Sequence, residues 1–332
     1  MTHRLLTVGA GAATAALLTA CGTGGSISDS ADGAELRVVA AFYPVEFAAQ
    51  QIARGVAGVE IETLTAPGVE PHDLELTPRQ VGAVKDADLV VYSSGMQAAV
   101  DDAVAAQAEG HTLDTTDVVP LAQTGDDDSH VDDHSADAHS EEEHSDEAQG
   151  SAHEDHDHGA SDPHFWLDPE RYATAGAAIA DELADLDPDN AEAYQANAQR
   201  FASDLTALDA EFADTLASCR HDTLVTTHEA FGYLADRYGF HQVGIAGVTS
   251  DAEATPARMA EISDIVGELG ISAIYAESTL GGDLAEVIGT ETGTEVLVLD
   301  PIEGITDTSA GADYFEVMRA NLEALQRGQE CT

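Results

Sequence analysis

From Leu36 onward the chain alternates short apolar runs with longer stretches in which apolar residues recur every three or four positions. Leu36 to Phe42, Val59 to Leu64 and Asp88 to Tyr92 predict three strands, with a fourth short one near 112–121. Helices are expected near 45–54, 77–87 and 97–109. The same rhythm returns later, with strands at 223–227, 241–245, 271–276 and 295–299 and helices near 229–238, 256–269, 282–291 and 312–327. Strands alternating with helices imply right-handed crossovers and parallel sheets. Between the two blocks, 168–184 predicts one helix, and Pro188 opens another that runs to Ser218 with no Gly and no further Pro. Proline is favoured in a first helical turn. About 31 residues at 1.5 Å each make a rod of roughly 45 Å, too long for one small lobe. The expected fold is α/β: two lobes (36–187 and 219–332), each a four-stranded parallel (β/α)4 sheet, joined by one long rigid helix (188–218).

Two stretches fall outside this rhythm. At the start, Arg4 precedes the apolar run Leu5–Leu18, which leads into Leu18-Thr19-Ala20-Cys21. A run of that length before small residues reads as an export signal over 1–20, not a membrane span. The LTAC ending resembles a lipobox, which would make Cys21 the lipid-modified first residue of the mature chain; the alternative is a secreted protein with a chance cysteine. Residues 21–35, rich in Gly, Ser and Asp, have the composition of a flexible tether. An extracytoplasmic protein, lipid-anchored to the outer face of the cell membrane, is expected. With Cys21 acylated, Cys219 and Cys331 remain, and an oxidising exterior permits them to pair; two free thiols are the alternative.

The second stretch, 126–162, interrupts the first lobe. It holds His130, His134, His139, His144, His153, His156 and His158 among carboxylates, with no Lys or Arg. Too polar to bury a core, it predicts a disordered loop, and neutral imidazoles beside carboxylates suit weak capture of a divalent metal. Fourteen of the 63 acidic residues lie in 126–158, which leaves 49 against 12 Lys and Arg in a chain of net charge −51. An acidic surface throughout argues against nucleic acid and anionic substrates as partners.

A floppy tract makes a poor tight site, so the ligands of a tight one are expected at the carboxyl ends of the predicted strands, where open parallel sheets bind. His72 follows the second strand, His164 lies where the acidic tract ends, His228 follows TLVTT, and Asp300 follows EVLVL. Each alone reads more readily as a surface, capping or turn residue. Together they offer a cation three imidazoles and a carboxylate in a cleft between lobes. His111, His221 and His241 sit at strand beginnings or turns and read as structural.

At these positions the sequence resembles the zinc and manganese solute-binding lipoproteins of bacterial ABC importers, of the ZnuA type. The resemblance covers nearly the whole mature chain and rests on FYPVEFAAQQIA (42–53), GVEPHDLELTPRQVGAVKDADLVVY (68–92), DPHFWLDP (162–169), THEAFGYLADRYG (227–239), AIYAESTL (273–280) and LDPIEG (299–304). It implies a metal held between the lobes on His72, His164 and His228; Asp300 is the expected fourth ligand, and Glu70, close to His72 in sequence, is its alternative. It also implies delivery to an ABC permease by a monomeric, non-enzymatic binding protein. Three imidazoles favour Zn2+ over Mn2+, which with iron remains the alternative cargo. The rivals of other classes are a zinc hydrolase and a metal-buffering surface adhesin that uses only the His tract. His228-Glu229 begins like a metalloprotease helix, but position 232 is Gly where the second His is needed, and no GxSxG or P-loop is present.

Overall fold

The computed structural model describes residues 36–122, 162–247, 255–277 and 282–332. The expected export signal, Cys21, the tether and the seven tract histidines lie outside these residues. The first half runs β1 (Leu36–Ala40), α1 (Tyr43–Ile52), β2 (Val59–Thr63), α2 (Pro78–Asp86), β3 (Leu89–Tyr92), α3 (Ala98–Gln107) and β4 (His111–Asp114). The second runs β5 (Thr223–Thr226), α6 (Gly232–Tyr238), β6 (His241–Gly244), α7 (Pro256–Leu269), β7 (Ala273–Ala276), α8 (Gly282–Thr292), β8 (Glu295–Val298) and α9 (Tyr314–Gly328). Between them lie α4 (Pro169–Leu186) and α5 (Ala191–Leu216).

Both sheets are parallel and share one topology, β2-β1-β3-β4 and β6-β5-β7-β8. In the first, Val38 of β1 pairs with Ile61 of β2 and Leu89 of β3. The buried central strands carry near-continuous apolar runs, LRVVA and LVVY, as sheets covered on both faces require. Helix starts follow local chemistry. Thr77 and Gln80 form a reciprocal capping box ahead of Pro78, Asp168 accepts from the Glu170 amide ahead of Pro169, and Thr255 accepts from the Arg258 amide ahead of Pro256. Gly239 and Gly270 close α6 and α7 in the left-handed conformation that glycine adopts without a Cβ clash.

The strand expected near 112–121 is shorter than its apolar pattern suggests. Asp114 Oδ1 accepts from the Ser94 and Thr116 amides, and this turns the chain into a 3-10 turn at Thr115–Asp117.

Helix α5 has 26 residues and follows a 3-10 turn at Pro188–Asn190. It packs along α4 and α1 and also against α6 and α9, so it touches both halves. One hydrophobic core runs from the first sheet through α4 and α5 to one face of the second sheet. A separate cluster around Val225, Ile262 and Ile274 fills the face under α7 and α8. The junction between halves is aromatic: Tyr314 of α9 lies 4.7 Å from Tyr172 of α4 and 5.9 Å from Phe47 of α1, between ring centroids. Cys219 and Cys331 are joined by a disulfide, beside which the Thr332 amide donates to Ser218 O at 2.9 Å and the Arg220 amide to Gln329 O at 2.9 Å. Among the described residues no helix is long and apolar enough to cross a membrane.

Candidate metal centre

The carboxyl ends of both sheets contribute to one buried cluster. The loop after β2 brings His72, whose side chain is 6% exposed, with its backbone N–H donating to Glu70 Oε1 at 3.2 Å. The turn ahead of α4 brings His164, which is fully buried. Trp166 anchors that turn: its ring lies 5.2 Å from Phe42, its indole N–H donates to Pro301 O at 2.7 Å, and its own carbonyl accepts from Tyr314 at 2.7 Å. His228 follows β5 and is 3% exposed. It does not cap the next helix, whose N-cap is Phe231. The imidazole centroids are 5.4 Å apart for His72 and His164 and 5.5 Å for His164 and His228.

The carboxylate among them is that of Glu303. Its Oε1 lies 2.9 Å from His164 Nε2, 3.4 Å from His72 Nε2 and 3.9 Å from His228 Nε2. Ligand atoms of His72, His164 and Glu303 all fall within 4.8 Å of one another. The expected fourth ligand, Asp300, stands three residues earlier, where its Oδ1 accepts from the Ile302 amide at 2.8 Å and Asn321 brackets its backbone. That turn holds Ile302 at φ 61°, a conformation a β-branched side chain rarely adopts, and it delivers Glu303 inward. Glu70 and Asp300 line the mouth of the cleft, a cavity of about 80 Å³ where the 68–71 and 300–306 loops meet.

Two further carboxylates back the ring. Asp162 Oδ1 lies 2.7 Å from His164 Nδ1, and Glu277, the first residue past β7, bonds His228 Nδ1 and accepts from Thr227 Oγ1 at 3.0 Å. Glu303, Asp162 and Glu277 were all missed in the sequence. A search for acids just past each strand would have found Glu277; the other two depend on how a turn is wound.

The electrostatics are those of a site built for positive charge. Burial lowers the His164 pKa, but hydrogen bonds and negative charge from Asp162 and Glu303 outweigh it and push the imidazole up to about 10. Burial would raise Glu303, yet His164 and His72 hold its carboxyl well below the usual range. Burial and then the Glu303 charge push Glu70 up to about 7. His72 Nε2 and His228 Nε2 are buried without a hydrogen-bond partner, facing Glu303 outside hydrogen-bonding geometry. Buried polar atoms are ordinarily satisfied, and two orphaned imidazole nitrogens aimed at one carboxylate are the donor arrangement a zinc ion would complete.

Residues 38–328 match the ZnuA family, described as "Zinc-uptake complex component A periplasmic". The zinc-binding lipoprotein AdcA of Streptococcus pneumoniae is 36% identical over 323 residues, covering 94% of this chain and 58% of its own. The high-affinity zinc uptake system protein ZnuA of Bacillus subtilis is 34% identical over 317 residues, covering 93% of each. The chain thus spans little more than half the length of the AdcA relative. Among solved structures, the Streptococcus agalactiae laminin-binding protein Lmb, titled a bifunctional protein with adhesin and metal transporting activity, superposes at TM-score 0.72 with 27% identity, covering 89% of this chain and 99% of that one. The Zn(II)-bound ZnuA-like domain of S. pneumoniae AdcA superposes at 0.69 with 30% identity, covering 89% and 99%. The chain belongs to the ZnuA family.

Proposed function

We propose that the protein binds Zn2+ between its two halves, outside the cytoplasm, and delivers it to an ABC-type permease in the cell membrane. The convergence of three imidazole Nε2 atoms on one oxygen of Glu303 carries this reading. Three nitrogens and a carboxylate match the ligand types and number that zinc takes, whereas manganese prefers more oxygen donors. His72, His164 and His228 are the proposed nitrogen ligands. Glu303 is assigned the fourth position in place of Asp300 or Glu70, and Asp300 is given the role of shaping the turn. Zinc is the cargo, so nothing here is assigned a catalytic step.

The relatives named zinc-binding lipoprotein and zinc uptake protein support transport and anchoring, the latter through Cys21. The tract 126–162 is proposed to capture zinc weakly and raise its concentration near the cleft. The test is a competitive titration of metal-free soluble protein with zinc and manganese, repeated on His72→Ala/His228→Ala. One tight zinc site, far weaker for manganese and abolished by the double substitution, is expected. Tight manganese binding would make manganese the cargo. Zinc retained by the double variant would place the site in the tract and overturn the cleft assignment.

A further inference from the structure

We propose that Asp162 and Glu277 are positioning residues, one behind an imidazole from each half, which hold Nδ1–H of His164 and His228 so that Nε2 faces the metal. The assignment rests on the zinc reading of the same site and adds the groups that decide which nitrogen binds.

Both carboxylates are buried, at 5% and 7% exposure, and each bonds its histidine on the Nδ1 side, away from Glu303. Asp162 is held from four directions. Its Oδ1 accepts from the His164 amide at 2.9 Å as well as from the ring, its own amide donates to Ala122 O at 3.0 Å, and its carbonyl accepts from Tyr233 Oη at 2.8 Å. Tyr233 Oη in turn accepts from the Ala122 amide at 2.7 Å, so one hydroxyl ties both chain ends that flank the 123–161 stretch. The other oxygen, Oδ2, occupies room left by a glycine: a Cβ on Gly232 would stand 2.7 Å from it. Glycine at 232 is therefore needed for the Asp162 carboxylate to lie where it does.

An acceptor fixed at Nδ1 selects the tautomer whose lone pair is on Nε2 and raises the basicity of that nitrogen; loss of such a partner typically weakens a metal site by roughly 10–100-fold. His164 and His228 have such partners, and these are the histidines approached by the 162–164 turn and by the carboxyl end of β7.

The experiment compares wild type, Asp162→Ala, Asp162→Asn and Gly232→Ala by zinc titration and by ring 15N spectra of the zinc-loaded proteins. Asparagine keeps an acceptor at the Oδ1 position, so it is the conservative rescue. The expected result is a single zinc with affinity lowered roughly 10–100-fold in Asp162→Ala, with one histidine no longer metallated solely through Nε2. Asp162→Asn should restore the Nε2 pattern and part of the affinity. Gly232→Ala, which removes no site group but displaces the Asp162 carboxylate, should shift both readouts the same way as Asp162→Ala. An unchanged ring-nitrogen pattern in Asp162→Ala with affinity within twofold overturns the proposal. If Asp162→Ala does not fold, Gly232→Ala decides alone by the same two readouts. A wild-type protein without a tight zinc site would instead refute the zinc reading, a result visible before any variant is made.

Discussion

In the proposed site, Glu303 and Asp300 are given different roles three residues apart: Glu303 bonds His164, and Asp300 accepts from the Ile302 amide in the turn that precedes Glu303. Glu303→Gln should therefore weaken zinc by at least about tenfold, about 1.4 kcal/mol, whereas Asp300→Asn should chiefly lower thermal stability. A larger loss of zinc affinity in Asp300→Asn would reverse the two assignments. Proton linkage gives a second test. His164 has a folded pKa of about 10 against an ordinary 6.5, so its stabilising contribution is complete below 6.5 and is lost as pH rises through 10. Glu70, raised from 4.5 to about 7, acts in the same direction over that lower window. Metal-free protein should lose thermal stability between pH 6.5 and 10, with the slope flattened in His164→Ala. On the proposed assignment zinc displaces the His164 proton, so calorimetry in buffers of different ionisation enthalpy should show proton release at pH 7.5 and tighter binding as pH rises. The three histidines were legible in the sequence because each directly adjoins a strand end or a specific motif. Glu303 was not, because only the left-handed Ile302 and the Asp300 turn decide which of several loop acids points inward.

At the scale of elements, the strand and helix pattern was read closely because each element carries its own period and caps, while close approaches between elements leave no such mark. Gly176 in α4 is an example: a Cβ there would lie 2.7 Å from Phe201 Cδ1 of α5, so the two helices touch where one side chain is missing. Gly176→Ala should destabilise the fold by roughly 1–3 kcal/mol through overpacking, measurable by urea unfolding. The disulfide closes a span of 112 residues and fixes the end of α9 beside the end of α5. A span near that length gives roughly 4–5 kcal/mol in the chain-entropy model, but the backbone bonds of Arg220 and Thr332 already hold the same ends together. Cys219→Ser/Cys331→Ser should lose about 2–4 kcal/mol and leave zinc affinity unchanged. A change in affinity would mean that the far end of α9 reports to the cleft.

Across the whole molecule, the shared core and α5 join the two halves over a broad area, which makes hinge closure of the large kind expensive. Zinc should leave the radius of gyration in small-angle scattering unchanged within error. Ala122 and Asp162, which flank 123–161, are bonded backbone to backbone. Replacing 123–161 with a short Gly/Ser linker should preserve the fold and a cleft stoichiometry of one, and slow zinc acquisition only where zinc is scarce; an unchanged uptake curve would remove the capture role. The protein's single tryptophan, Trp166, stands edge-on to the His164 ring at 5.2 Å and hydrogen-bonds across to the second half. Its emission therefore comes from one place only, against the proposed ligand His164, and exchange of that ring's proton for a metal would give the untagged molecule its own optical gauge of cargo.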